Sequence, residues 1–127
     1  MYITIDQRDR RPVYQQIVDE IKVLIARAEL QEGSSLPPVR QVAEDLGVNL
    51  NTVAFAYRQL QTEGLIKVKH GSGAVVLART APGKAGEGSQ TQLQSALTDL
   101  VLAGLTRSEI ATLVAKTLDN LGSGRSR

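Results

Sequence analysis

Cysteine is absent from all 127 residues, which excludes a disulfide framework and a thiolate metal site and makes a reducing cytoplasm the simplest compartment. Histidine occurs once, as His70. A metal site needs several ligands, so no metal is expected. No apolar run approaches the roughly 20 residues of a membrane span. The opening MYITIDQRDRR has no basic stretch leading into an apolar segment. The expectation is therefore a chain with neither a transmembrane helix nor a signal peptide. A large charge imbalance is missing too: fifteen Lys and Arg against thirteen Asp and Glu leave +2, too near balance to announce a nucleic-acid binder. Catalytic groupings are equally scarce. The serines have no nearby base, and Asp19, Glu20 and Glu44 suit solvated helix faces better than a paired acid–base site. No enzymatic activity and no cofactor are expected.

What is present is an ordinary 42% of hydrophobic residues, enough for one compact domain with a small appendage. Tyr2 to Asp6 alternates apolar and polar, as a short strand or an ordered arm does. From Pro12 the spacing becomes helical: Tyr14, Ile17, Ile21, Leu24, Ile25 and Ala28 recur every three or four residues until Gly33, with Pro12 as a first helical residue. A second helix is expected from about Pro38 to Leu46, with Val39, Val42, Ala43 and Leu46 inward, broken at Gly47. Asn49 is a good N-cap for a third, whose core stripe is Val53, Ala56, Tyr57 and Leu60 and which ends at Gly64. Two short helices around a glycine turn form a helix-turn-helix unit. Leu65 to His70, the turn Gly71-Ser72-Gly73 and Ala74 to Leu77 read as a hairpin that must pack on the helices.

Residues 80–91, rich in Gly and small polar side chains, read as a linker. Two further stripes follow: Leu93, Ala96, Leu97, Leu100 and Val101 up to Gly104, then Ile110, Leu113, Val114, Leu118 and Leu121 behind a Thr106–Glu109 capping box. The fold class is thus mainly α with a small β hairpin: a winged helix-turn-helix domain over residues 1–79 and a two-helix hairpin over 92–121. Residues 122–127 read as a disordered tail. Helices of about a dozen residues are marginal alone, so the stripes call for a partner surface, most simply a second copy. The alternative is a hairpin folded back on its own winged helix.

The run PPVRQVAEDLGVNLNTVAFAYRQLQTEGLIKVKHGSGAVV, preceded by PVYQQI and LQEGSSL, strongly resembles the winged-helix domain of the GntR family of bacterial transcription regulators. A Pro-x-Tyr-x-Gln-Ile start, a Leu-Pro-x-x-Arg entry to the second helix, a Gly-Val-x-x-Asn-Thr-Val turn and an x-Gly-x-Gly wing carry it, across roughly residues 5–77. The short tail resembles the YtrA-type subfamily. That resemblance implies a dimer held through the tail helices, repression of transcription and, often, control of a transporter operon. Its partners would be double-stranded DNA and a second copy, with an unidentified small-molecule effector left open and no membrane.

On a wheel of about 100° per residue, Asn51, Phe55, Arg58 and Thr62 fall opposite the core, with Thr52 and Gln59 on the flank. Asn can bond an adenine edge twice, Thr can touch a thymine methyl, and Arg suits guanine or phosphate. Asn49 is read first as a cap, although it is also retained as a contact candidate. Arg40, which matches the arginine of Leu-Pro-x-x-Arg, is assigned to DNA. The bland alternative is an exposed pair with Glu44. The wing offers Lys67, Lys69, His70 and Ser72, with Gly71 and Gly73 permitting close backbone approach. The DNA-binding set is therefore Arg40, Asn49, Asn51, Thr52, Phe55, Arg58, Lys69, His70 and Gly71. Arg8, Arg10 and Arg11 form a basic run read chiefly as a solvated cluster, and Tyr14 and Tyr57 are assigned to the core. Leu50 stands where many relatives have a proline or a basic residue, Ala54 where some groups have arginine and Phe55 where a basic residue is frequent, and Pro38 replaces a usual serine. Phe55 has two readings, contact with a thymine methyl or packing against a neighbouring segment. Exposed Leu50 and Phe55 leave a protein-interaction module as the competing function.

Overall fold

The computed structural model describes residues 1–69, 73–77 and 87–122. These fall in two compact units, one within residues 1–79 and one within 80–123. In the first, the order is α1 (Val13–Ala26), β1 (Ser35–Leu36), α2 (Val39–Leu46), α3 (Leu50–Thr62), β2 (Ile66–Lys69) and β3 (Gly73–Val76). The strands form an antiparallel sheet in the order β1-β3-β2. Against the expectation of a hairpin alone, β1 is a third strand, with Ser35 opposite Val75 and Leu36 opposite Ala74. Two residues are too short to show alternation, so only the sheet reveals the strand.

Ile17, Ile21, Val53, Ala56, Tyr57, Leu60 and Ile66 are almost wholly buried, so α1, α3 and the sheet share one core, with Val42 and Ala43 of α2 closing it. The expected stripes of α2 and α3 therefore hold. The end of α1 does not. It stops at Ala26, and Ala28 takes a left-handed φ of 63°. The Ala28 N–H donates to the Ile25 carbonyl and the Glu29 N–H to the Leu24 carbonyl, a Schellman closure built on alanine rather than glycine. Both prolines sit one place earlier than expected: Pro12 and Pro38 are N-caps with extended ψ of 151°, outside the helices they precede.

Residues 2–6 are an arm, not a strand. Ile3 is buried, and the Asp6 N–H donates to Gln16 Oε1 at 2.9 Å while Gln16 Nε2 donates to the Arg11 carbonyl at 3.1 Å. Gln16 is itself buried, so both ends of its amide are satisfied by the backbone it holds.

In the second unit, α4 (Glu87–Leu102) begins five residues before the expected Gln92, and α5 (Arg107–Leu121) follows a turn through Gly104. The capping box is formed: the Glu109 N–H donates to Thr106 Oγ1 and the Thr106 N–H to Glu109 Oε1. No described residue of either helix is buried. Leu93, Val101, Leu102 and Leu118 are each more than half exposed, and Leu93, Leu97, Val101 and Leu102 line an apolar groove of about 410 Å³ on α4. The expected linker, up to residue 86, and the tail from residue 123 lie outside the described residues.

Candidate nucleic-acid interface

The turn between α2 and α3 is set by Gly47, whose φ of 68° and ψ of 35° are left-handed. The Val48 N–H closes α2 by donating to the Ala43 carbonyl, and Asn49 then starts α3: the Asn51 N–H donates to Asn49 Oδ1 at 2.7 Å. Asn49 is thus the N-cap the sequence indicated. The cap frees the rest of the first turn for other work. Asn51 is exposed and Thr52 half-buried, and Arg58 is exposed about two turns further along.

Three clamps hold α3 in place. The Tyr57 hydroxyl, at the end of a buried ring, donates to the Pro37 carbonyl at 2.6 Å, tying α3 to the segment that launches α2. Burial pushes this phenol well above its ordinary value of 10.0. At the other end, Lys22 Nζ of α1 lies 2.6 Å from Glu63 Oε1, and Gln59 Nε2 donates to Glu63 Oε2 at 3.0 Å. Partial burial alone would raise the Glu63 carboxyl, but these hydrogen bonds outweigh it and hold it below its usual value. The third clamp reaches the wing: Gln61 Oε1 accepts the Val68 N–H at 2.7 Å, satisfying a donor on the outer edge of β2. Helix and wing are therefore joined by a direct hydrogen bond. Gly73, at the base of the wing, has φ +85°, and a Cβ there would lie 2.6 Å from the Leu36 carbonyl oxygen. Only glycine lets β1 and β3 meet there.

The cations divide into two sets. Arg11 is paired with Asp9 and Asp19, Lys22 with Glu63, and Arg27 with Glu29. The Arg11 hydrogen bonds hold the Asp9 carboxyl below its ordinary value. Of the basic run at the N-terminus, Arg11 is thus occupied within the fold, while Arg8 and Arg10 make no ion pair among the described residues. Arg40, Arg58, Lys67 and Lys69 make none either, and all four are exposed. The alternative pairing of Arg40 with Glu44 is not formed. Arg40 is the second residue of α2, whose first turn carries no acidic side chain and no side-chain cap. A cation there costs about 0.3–1 kcal/mol against the helix dipole, a cost that an external anion would offset.

Phe55 is 43% exposed, yet its ring is engaged. It meets Tyr14 of α1 edge-on, with centroids 4.6 Å apart and planes at 73°, and the Arg58 guanidinium carbon lies over it at 5.7 Å. Packing against a neighbouring segment, one of its two readings, is therefore real. Tyr14 is half-buried and packs against the core as assigned, and it also meets Phe55, a contact that no single-helix wheel could reveal. Gln16 and Gln61 were also missed. A polar residue next to the buried Ile17 was the available signal for Gln16; nothing marked Gln61. His70 and Gly71 lie outside the described residues. Among those described, no three or more potential metal ligands come together and no helix is long and apolar enough to cross a membrane.

A helix-turn-helix followed by a β wing, with exposed cations on the turn helices and the wing, defines the class of winged-helix regulators. The comparisons narrow this. The model of the family described as bacterial regulatory proteins, gntR family, matches residues 13–76. The HTH-type transcriptional repressor YtrA of Bacillus subtilis (strain 168) is 34% identical over 100 residues, covering 79% of this chain and 76% of that protein. The crystal structure of a transcriptional antiterminator from Listeria monocytogenes EGD-e matches with a TM-score of 0.85 at 32% identity, covering 100% of this chain and 98% of that one. YtrA from Sulfolobus acidocaldarius, a GntR-family transcription factor, matches with a TM-score of 0.62 at 35% identity, over 79% of this chain and 97% of that one. The chain belongs to the gntR family of bacterial regulatory proteins, a family of transcription regulators and not of enzymes.

Proposed function

We propose that this chain is a sequence-specific repressor that binds a near-palindromic DNA operator as a homodimer in the cytoplasm. The observation that carries the reading is the set of exposed cations without an ion pair among the described residues, Arg40, Arg58, Lys67 and Lys69, on the very elements that a winged helix presents to DNA. In this reading Asn51, Thr52 and Arg58 of α3 enter the major groove, and Arg40 and the open first turn of α2 meet phosphate. Lys69, His70 and Gly71 of the wing meet backbone or minor groove. Asn49 acts through its cap.

Dimerisation is supported by α4 and α5, which expose leucine and valine side chains that water does not favour and whose groove a second copy would fill. Two-fold pairing sets the half-sites one or more helical turns apart, about 34 Å per turn. Residues 1–79 would act as the DNA-binding domain, 80–91 as linker and 92–121 as the dimerisation hairpin. An effector, if the protein uses one, would bind at the dimer interface or linker. The likeness to YtrA-type regulators directs the search for the operator first to transporter genes.

The test is selection from a randomised duplex pool at moderate salt. Enrichment of an interrupted palindrome is expected, and a Leu100→Glu/Leu113→Glu protein should run as a monomer and bind it far more weakly while residues 1–77 remain folded. An unchanged mass and affinity would overturn the dimer. A pool with no enriched sequence would overturn specific readout and favour the protein-interaction module, for which Leu50, 42% exposed, is the remaining argument.

A further inference from the structure

We infer that Phe55 and Tyr14 form an aromatic ledge that positions the Arg58 guanidinium for base recognition in the major groove, and that Tyr14, on α1, is therefore a positioning residue for sequence readout. The inference rests on the proposed function and deepens it: Phe55 serves the readout through Arg58 instead of by touching a thymine.

Phe55 and Arg58 are three residues apart, neighbours on one face of α3. Arginine on a surface helix ordinarily samples many rotamers, and no carboxylate fixes this one among the described residues. What it has instead is the Phe55 ring, 5.7 Å from its central carbon and within the range of a cation–π contact. An aromatic face attracts the cation without consuming its N–H donors, which lie at the edge of the guanidinium plane and stay free for bidentate contacts. A glutamate at the same place would occupy those donors and cancel the charge. The ledge must itself be rigid. Tyr14 supplies that by meeting Phe55 edge-on at 4.6 Å, an arrangement the aromatic quadrupole favours, and α1 is anchored in the core by Ile17 and Ile21. The chain of support runs from core to α1, to Tyr14, to Phe55, to Arg58. It explains why an exposed recognition face keeps a phenylalanine that costs solubility.

The test uses the full chain and the duplex it selects. Affinity and base preference are measured for Phe55→Leu, Arg58→Ala, their double variant, Phe55→Trp, Tyr14→Leu and Tyr14→Phe, with thermal melting to show that each is folded. A cation–π contact of this exposure corresponds to roughly a twofold to fivefold effect. Phe55→Leu is expected to lose about that much affinity and to relax the same base pairs as Arg58→Ala. The double variant should bind no worse than Arg58→Ala alone. Phe55→Trp, which keeps an aromatic face, should restore affinity, and Tyr14→Phe, which keeps the ring edge, should restore most of what Tyr14→Leu loses. Losses that multiply in the double variant, or relaxed preference at base pairs that Arg58→Ala leaves intact, overturn the ledge and make Phe55 a direct contact. A wild-type protein that selects no sequence defeats the DNA-binding reading, and the ledge with it. A selecting wild type with multiplicative losses defeats the ledge alone.

Discussion

Replacing Tyr57 with phenylalanine removes one oxygen from a buried ring and leaves the packing of α3 otherwise intact. The deleted group donates to the Pro37 carbonyl at 2.6 Å. A neutral hydrogen bond contributes about 0.5–1.5 kcal/mol, and stranding a buried acceptor costs about 1–3 kcal/mol. Pro37 is only half-buried, so water reaches part of its carbonyl's needs and the lower half of that range applies, about 1–2 kcal/mol. For a domain of this size, each kcal/mol moves the midpoint by about 4–8 °C. Tyr57→Phe should therefore melt about 5–15 °C lower at pH 7. The same hydroxyl makes stability depend on pH. Because burial raises the folded-state phenol above its unfolded value of 10.0, the stabilisation is complete below pH 10 and is lost as pH rises beyond it. Above pH 10 the wild type should lose up to about 1.4 kcal/mol per pH unit through this group, and the phenylalanine variant none. The gap between them should close by about pH 11–12. Equal midpoints at pH 7, or a gap that stays constant to pH 12 in denaturant titrations, would refute the clamp.

Gly73→Ala forces a Cβ against the Leu36 carbonyl oxygen in a left-handed backbone, so it should cost at least about 2 kcal/mol and weaken DNA binding through the displaced wing, read by melting and by affinity. Ala28→Gly relieves a left-handed alanine and should raise stability by about 0.5–1 kcal/mol; an unchanged or lower midpoint would mean that the Schellman closure is unstrained. Lys22→Met removes a half-exposed partner of Glu63 and should cost only about 0.5 kcal/mol at pH 7. Since the Glu63 carboxyl is held below its ordinary 4.5, that contribution is present above pH 4.5 and is lost as acidification carries the carboxyl through its lowered folded-state value, so wild type and variant should converge in acidic urea melts.

The sequence by itself determined the helices of the winged domain, the glycine turn, the Asn49 cap and the Thr106–Glu109 box, because each depends on neighbours within one or two turns. It also placed the outward residues of α3, since the buried stripe of Val53, Ala56, Tyr57 and Leu60 leaves them only one side to face. Its errors lie where distant segments compete for the same backbone. Ala28 looked like one more turn of α1, yet the chain must reverse there so that Leu36 can pair with Ala74, and the cost of a left-handed alanine is accepted. Residues 2–6 left a strand and an ordered arm both open, and the arm is formed because Gln16 takes the Asp6 N–H that a neighbouring strand would need. For Arg40 the sequence left a pair with Glu44 as the alternative to an external contact, and only the folded side-chain arrangement shows that the pair is not formed. Tyr14, Phe55 and Arg58, from two helices, meet only because α1 and α3 pack together. Periodicity reports which side of a helix is buried. What stands beside its exposed side, and so how an exposed arginine is held, is a property of tertiary packing alone.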